Sequence, residues 1–266
     1  MHFNINFRFL FYTLVIIFCY ENTFSQSDTI YLDEEDKQVS KYVFYKKEKS
    51  SIYDGVRYST DSLVLEALEL NYVYAKMLPI SQSHLFKFLS SNYKIDTTKT
   101  IIIHYTFTLK HPKDYPRTTP IYSFDTLSNT YKLLKNHNAG NLDLFLGVSR
   151  HMHAQNYRAI LMGYKQCLRY HKKNQETTSI VHLFAKNEGF PVNDKGLKWY
   201  SDENLFVRKF FNKPKRSFNI VIIQPNGEFY VQYGYSKYDY ATLILKEKWG
   251  THIREFMHEM KYLNEI

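Results

Sequence analysis

Residues 219–234, NIVIIQPNGEFYVQYG, decide how the chain is read. IVII and EFYVQ are β-branched and aromatic runs, and the Pro225-Asn226-Gly227 stretch between them carries turn chemistry, with Gly227 free to adopt a positive φ. The segment therefore predicts a β-hairpin. Upstream lies YSDENLFVRKFF, where Ser201 is positioned to cap a helix. That helix would hold Asp202 and Glu203 in its first turn and Arg208 and Lys209 at its end, the polarity a helix dipole favours.

Working outward, SIVHLFA (179–185) and KTIIIHYTFTL (99–109) are apolar without strict alternation, as expected of strands covered on both faces. Between them lie KHPKDYPRTTP, whose three prolines rule out a regular helix or inner strand, and a variable stretch. SRHMHAQNYRAILMGYKQCLRYHKK follows, and its spacing of Met152, Ile160, Leu161, Tyr164 and Leu168 predicts a long helix. SQSHLFKFLSSNY predicts a helix capped by Ser81 or Ser83, with Leu85, Phe86 and Leu89 on one side. NYVYAKMLP before it reads as a linker. Residues 28–70 read as a β-rich addition: TIYL, the acidic turn DEEDK, a short helix capped by Ser40, and a hairpin turning at Ser59, Thr60 and Asp61. Two helical stretches close the chain, one through Tyr240, Ile244 and Leu245, the other after Gly250 through Ile253, Phe256, Met257, Met260 and Leu263.

The N-terminus is a secretory leader by pattern. Arg8 gives a weakly basic start, FLFYTLVIIFCY is an apolar run too short to span a bilayer comfortably, and Thr23 and Ser25 are small residues before a cut expected between Ser25 and Gln26. An uncleaved anchor is the alternative, and Phe18 before Cys19 argues against a lipoprotein signal. The expected organisation is a signal peptide over 1–25, a β-rich addition over 26–80 and a main domain with a C-terminal helical extension over 81–266. After cleavage Cys167 is the one remaining thiol, so no internal disulfide can form and stability must come from core burial.

Helix, buried strand, loop, long helix, strand, helix, hairpin and helix, in that order over about residues 81–249, resemble a thioredoxin-like fold. The Asn226-Gly227-Glu228 turn between the last two strands adds to the likeness. The resemblance implies an α/β three-layer sandwich with a central mixed β-sheet. Its redox-active members carry Cys-x-x-Cys where the first core strand meets the next helix; TLKHPKDYPRT stands there without a cysteine. The family's cis-proline position, seven residues before Asn226, is Asn219, and Pro214 lies five residues too early. Dithiol exchange is therefore not expected, and neither is a cofactor.

The replaced loop and its approach supply the candidate site residues: His111 and Asp114 as an acid–base pair, and His104, Lys113, Tyr115 and Arg117 as ligand-binding groups around an anion. Cys167 is the other catalytic candidate, as the nucleophile of a monothiol enzyme. It sits late in its predicted helix beside Lys165 and Arg169, where the dipole does not lower a thiol pKa, so a small buried core residue is the better reading. His151-Met152-His153 suggests a metal pair, but on a helix residues two apart diverge, and no metal site is expected; His252 and His258, six apart, fare no better.

The net charge of +9 favours anionic surfaces. Clusters such as CLRYHKKN and VRKFFNKPKRS could add to such a surface, or be solvated segments on different faces. The 24 Tyr and 20 Phe suit stacking on bases or sugars, yet AT-rich codon usage and half-buried strand positions account for them more simply. The expectation is an exported, non-redox binding or scaffolding module of the cell envelope, with an envelope protein, an anionic glycan or a lipid surface as partner and nucleic acid not expected. The alternative is an enzyme using the 104–117 loop or Cys167.

Overall fold

The computed structural model describes residues 29–59, 63–115, 119–125, 130–137, 151–153, 161, 165, 168–170, 172–194, 196–212, 217–234, 243 and 246–265. The leader with its Ser25–Gln26 cut, Thr60, Asp61, Arg117, Ile160, Tyr164, Cys167, Pro214, Tyr240, Ile244 and Leu245 lie outside them. The chain is mixed α/β and divides between Leu70 and Asn71 into two compact units.

In the first unit β1 (Thr29–Leu32) lies parallel to β3 (Val64–Leu70), which pairs antiparallel with β2 (Tyr53–Ser59). The DEEDK turn forms because the Asp33 carboxylate accepts hydrogen bonds from the Glu35 and Lys37 amides, each at 2.9 Å. Ser40 caps α1 (Lys41–Glu48) as expected, its hydroxyl accepting from the Val43 amide at 3.3 Å. Phe44, Ile52 and Leu68 are buried together with an ion pair. The Lys47 ammonium donates to Glu34, 2.9 Å to Oε2, and the Tyr53 hydroxyl donates to Oε1 of the same carboxylate at 2.8 Å. Burial and the neighbouring Glu66 and Asp54 carboxylates raise the Glu48 carboxyl above its usual range.

The second unit is organised by β5 (Thr100–Leu109). It pairs parallel with β9 (Thr178–Asn187) on one side and antiparallel with β12 (Ile220–Ile223) on the other. Ile101, Ile102 and Ile103 are fully buried, as are Val221, Ile222 and Ile223 opposite them. β13 (Glu228–Gln232), β11 (Leu197–Ser201), β4 (Tyr72–Lys76) and the two-residue β10 (Asn193–Asp194) complete a seven-stranded mixed sheet in the order β10-β11-β9-β5-β12-β13-β4.

Helices pack on both faces of this sheet. α2 (Pro79–Tyr93) sets Tyr93 against Tyr200, and α3 (Phe206–Phe211) sets Phe211 against Phe229. On the other face Trp249 and Phe256 of α4 (Lys246–Asn264) contact Tyr74, and Phe256 also meets Tyr72. Tyr72, Tyr74 and Tyr230 are buried, so these tyrosines are core and not a stacking surface.

Several local readings need correction. The linker-like stretch contains the edge strand β4. α2 begins at Pro79, not at Ser81 or Ser83, because proline's fixed φ and missing amide suit the first helical position. The variable stretch forms β6 (Thr119–Asp125) and β7 (Thr130–His137), and His151–His153 is a strand, β8, in an antiparallel sheet ordered β7-β6-β8. Pro120, expected to exclude an inner strand, lies in β6, the middle strand of this sheet, paired with Asn136 of β7 and one residue before the Ile121 to Ser123 stretch that β8 pairs. Ser201 ends β11 and caps nothing. Gly250 lies inside α4, which runs on through it.

The hairpin itself forms as expected: Gly227 has φ +84°, its amide donates to the Gln224 carbonyl at 2.9 Å, and Gln82 of α2 donates to the Pro225 carbonyl at 2.9 Å. A Cβ on Gly227 would collide with the Gln82 side chain, whereas one on Gly196, at φ +89°, would meet open space. Gly227→Ala is therefore expected to destabilise the protein by about 2 kcal/mol or more and Gly196→Ala by about 1 kcal/mol. Equal losses in urea denaturation would contradict the clamping of this turn by α2.

Candidate functional site

β5 and β9 run parallel, and polar groups gather where they end. After Leu109 the chain turns through a 3-10 element, Pro112–Asp114. His111 makes that turn: its Nδ1 accepts from the Lys113 amide at 3.1 Å, and its carbonyl accepts from the Asp114 amide at 2.9 Å. The ring also lies against Gly189, whose φ of +104° and lack of a side chain permit the approach. Lys113 and Asp114 are exposed, and Tyr115 is half-buried, its hydroxyl pKa raised by that burial. Among the described residues no hydrogen bond joins the His111 imidazole to the Asp114 carboxylate. Their proximity in sequence is spent on a turn.

His104 lies within β5, five residues before the strand ends, directly across from His182 of β9. The rings stack face to face with centroids 4.9 Å apart and planes 13° from parallel, and Trp199 meets His182 edge-on at 5.2 Å. Stacked rings direct their nitrogens side by side, not toward a common point, so the pair does not converge on one ion. Among the described residues no three His, Cys, Asp or Glu groups are placed to hold a metal.

On the sheet face beneath α2 and α3, Asp202 is buried with three donors on its carboxylate. The Val207 amide donates to Oδ1 at 3.0 Å, and the Arg208 amide and the Tyr105 hydroxyl donate to Oδ2 at 2.9 and 3.0 Å. With three donors on it, the carboxylate holds the start of α3 to β5. Burial and this carboxylate push the Tyr105 hydroxyl far above its ordinary value. Tyr93, pushed up to about 12 chiefly by burial, donates to the Ser201 carbonyl at 2.9 Å. The Arg208 guanidinium rests 4.1 Å above the ring of Phe107, which is 45% exposed.

Sequence reasoning found His104 and His111 but not His182, Tyr105 or the capping role of Asp202. Both IIIH and IVH place a histidine after an apolar run, yet only strand register brings them together. An open depression along the outer side of α4 is lined by Arg254, Glu255, His258, Glu259 and Tyr262, and His252, on the inner side, is buried. The described lining comes from one helix and encloses no site. No family model, curated protein or solved structure matched the chain.

The raised tyrosine values fix a sign. A hydroxyl whose pKa is higher in the fold than its ordinary value of about 10 contributes stability that is intact below that pH and is lost as pH rises through the folded value. Thermal stability should accordingly decline between about pH 10 and about pH 12, and Tyr93→Phe should shallow that decline. Identical slopes in melts of the two proteins would contradict it.

Proposed function

We propose that the chain is an exported thioredoxin-like protein without dithiol chemistry, working as a binding or scaffolding module of the cell envelope. What supports the fold is the strand order β9-β5-β12-β13, with β5 and β9 parallel and β12 and β13 an antiparallel hairpin. A βαβ crossover followed by a hairpin produces this arrangement. The helices on both faces agree with it.

The observation that carries the functional reading lies at the end of β5. Where redox members of the family would hold Cys-x-x-Cys, His111 is committed to capping a proline-containing turn, and the chain passes into a separate sheet, β6–β7–β8. The position that would deliver chemistry instead delivers an added surface. The buried acid nearby, Asp202, is likewise committed to structure.

Thiol titration of the purified protein with a chromogenic disulfide reagent tests this. Cys167 is expected to react only after unfolding, and insulin disulfides to remain unreduced. Fast native reaction with an apparent pKa well below the free-thiol value of about 8.5 would make a monothiol enzyme the better reading. Mass spectrometry of the exported protein should find Gln26 as its first residue; a retained leader in the membrane fraction would replace the exported form with an anchored one.

A further inference from the structure

Three parallel strands, β5, β9 and β11, end along one edge of the sheet, the edge beyond which ligands of open α/β sheets bind. β11 leaves it through a turn in which Asn204 and Leu205 both hold φ +54°, a left-handed conformation that leucine rarely adopts. Asp202 fixes this turn. Its carbonyl accepts the Leu205 amide at 3.0 Å, and its carboxylate accepts the Val207 and Arg208 amides at 3.0 and 2.9 Å. The opening amides of α3 are thereby used within the protein, and what the turn sets in place is the Arg208 side chain. Its guanidinium lies 4.1 Å above the ring of Phe107, two residues before β5 ends.

Half-buried, Arg208 has given up part of its hydration, yet among the described residues no carboxylate, hydroxyl or carbonyl receives a hydrogen bond from its guanidinium. Arg57, by contrast, pairs with Glu66 at 3.6 Å, and the Arg254 guanidinium donates to the Thr251 hydroxyl at 3.2 Å. Beside this cation Phe107 is 45% exposed, on a strand whose Ile101, Ile102, Ile103 and Leu109 are buried. We infer that Arg208 and Phe107 form a binding site for a carboxylate carried on an apolar group. The guanidinium fork matches a carboxylate in charge and in its two-pronged geometry, and the open part of the ring receives the apolar group. A phosphate is served less well, because it carries more charge than one guanidinium meets and, among the described residues, no second cation lies over this ring.

This site rests on the binding-module reading but fails separately from it: absence of carboxylate binding leaves that reading intact, whereas native thiol reactivity removes it. The test is an NMR titration of the isotope-labelled exported protein with N-acetylphenylalanine, followed by backbone amide shifts. Saturable binding is expected with a Kd of about 1 mM, and N-acetylphenylalanine amide, which lacks the charge, should bind at least about tenfold more weakly. Arg208→Gln should weaken binding of the acid about tenfold, and Arg208→Lys, which keeps the charge but not the fork, about threefold. Phe107→Ala should weaken it about fivefold. Lys209→Gln, an equal loss of charge at the exposed next position, should leave it within about twofold. Melting curves identify any variant that has lost its fold, and the comparison of acid with amide needs no variant. N-acetylphenylalanine binding at least about fivefold tighter than phenylacetate would place the carboxylate at a peptide C-terminus, and equal binding would place it on a small acid; both support the site. No saturable shift, amide binding as tight as the acid, inorganic phosphate binding more tightly than the acid, or equal loss in Lys209→Gln and Arg208→Gln would each overturn the proposal.

Discussion

The structure of the larger unit depends on keeping β5 dry. Ile101, Ile102 and Ile103 have no exposure, so every backbone donor and acceptor along them must be paired within the sheet or be left unsatisfied at a cost of several kcal/mol. β9 and β12 supply those partners from opposite sides, and the helices on the two faces exclude water from the side chains. The parallel partner, β9, requires a long crossover, and the antiparallel partner, β12, enters the sheet more than a hundred residues after β5 and continues through a hairpin into β13.

From that constraint follows the use of tyrosine. Tyr72, Tyr74 and Tyr230 form a cross-strand layer under Trp249 and Phe256, with the Tyr74 and Tyr230 centroids 4.9 Å apart. Rings of this size fill the space between a twisted sheet and a long helix. Trp249 adds a directional tie, its indole N–H donating to Glu228 at 3.0 Å. These three tyrosines are explained by packing and offer no platform for bases or sugars.

The end of β5 shows the same economy in polar groups. His111 caps a turn, Asp202 anchors a helix, and Tyr105 joins that anchor to the central strand. Groups committed in this way hold geometry, and their hydrogen-bonding atoms are turned to the backbone and to one another. An inserted sheet occupies the exit of the strand instead.

The hairpin at 219–234, the buried strands β5 and β9, the Ser40 cap and the acidic turn were legible in the sequence because each is local: apolar runs, a glycine suited to positive φ, and side chains that bond amides a few residues away. The strand at 151–153 and the β6–β7 hairpin were not, since short segments carry no decisive period and take their form from partners elsewhere in the chain. For the same reason His104 was visible as a residue, but its stack with His182 was not: register between strands more than seventy residues apart is a tertiary property. Local side-chain chemistry by itself determined the turns at Asp33 and Gly227, the Ser40 cap and the absence of a Cys-x-x-Cys pair. Which polar groups are spent on structure, and that His104 stands beside His182, only the paired strands decided, because pairing fixes parity and parity fixes the face.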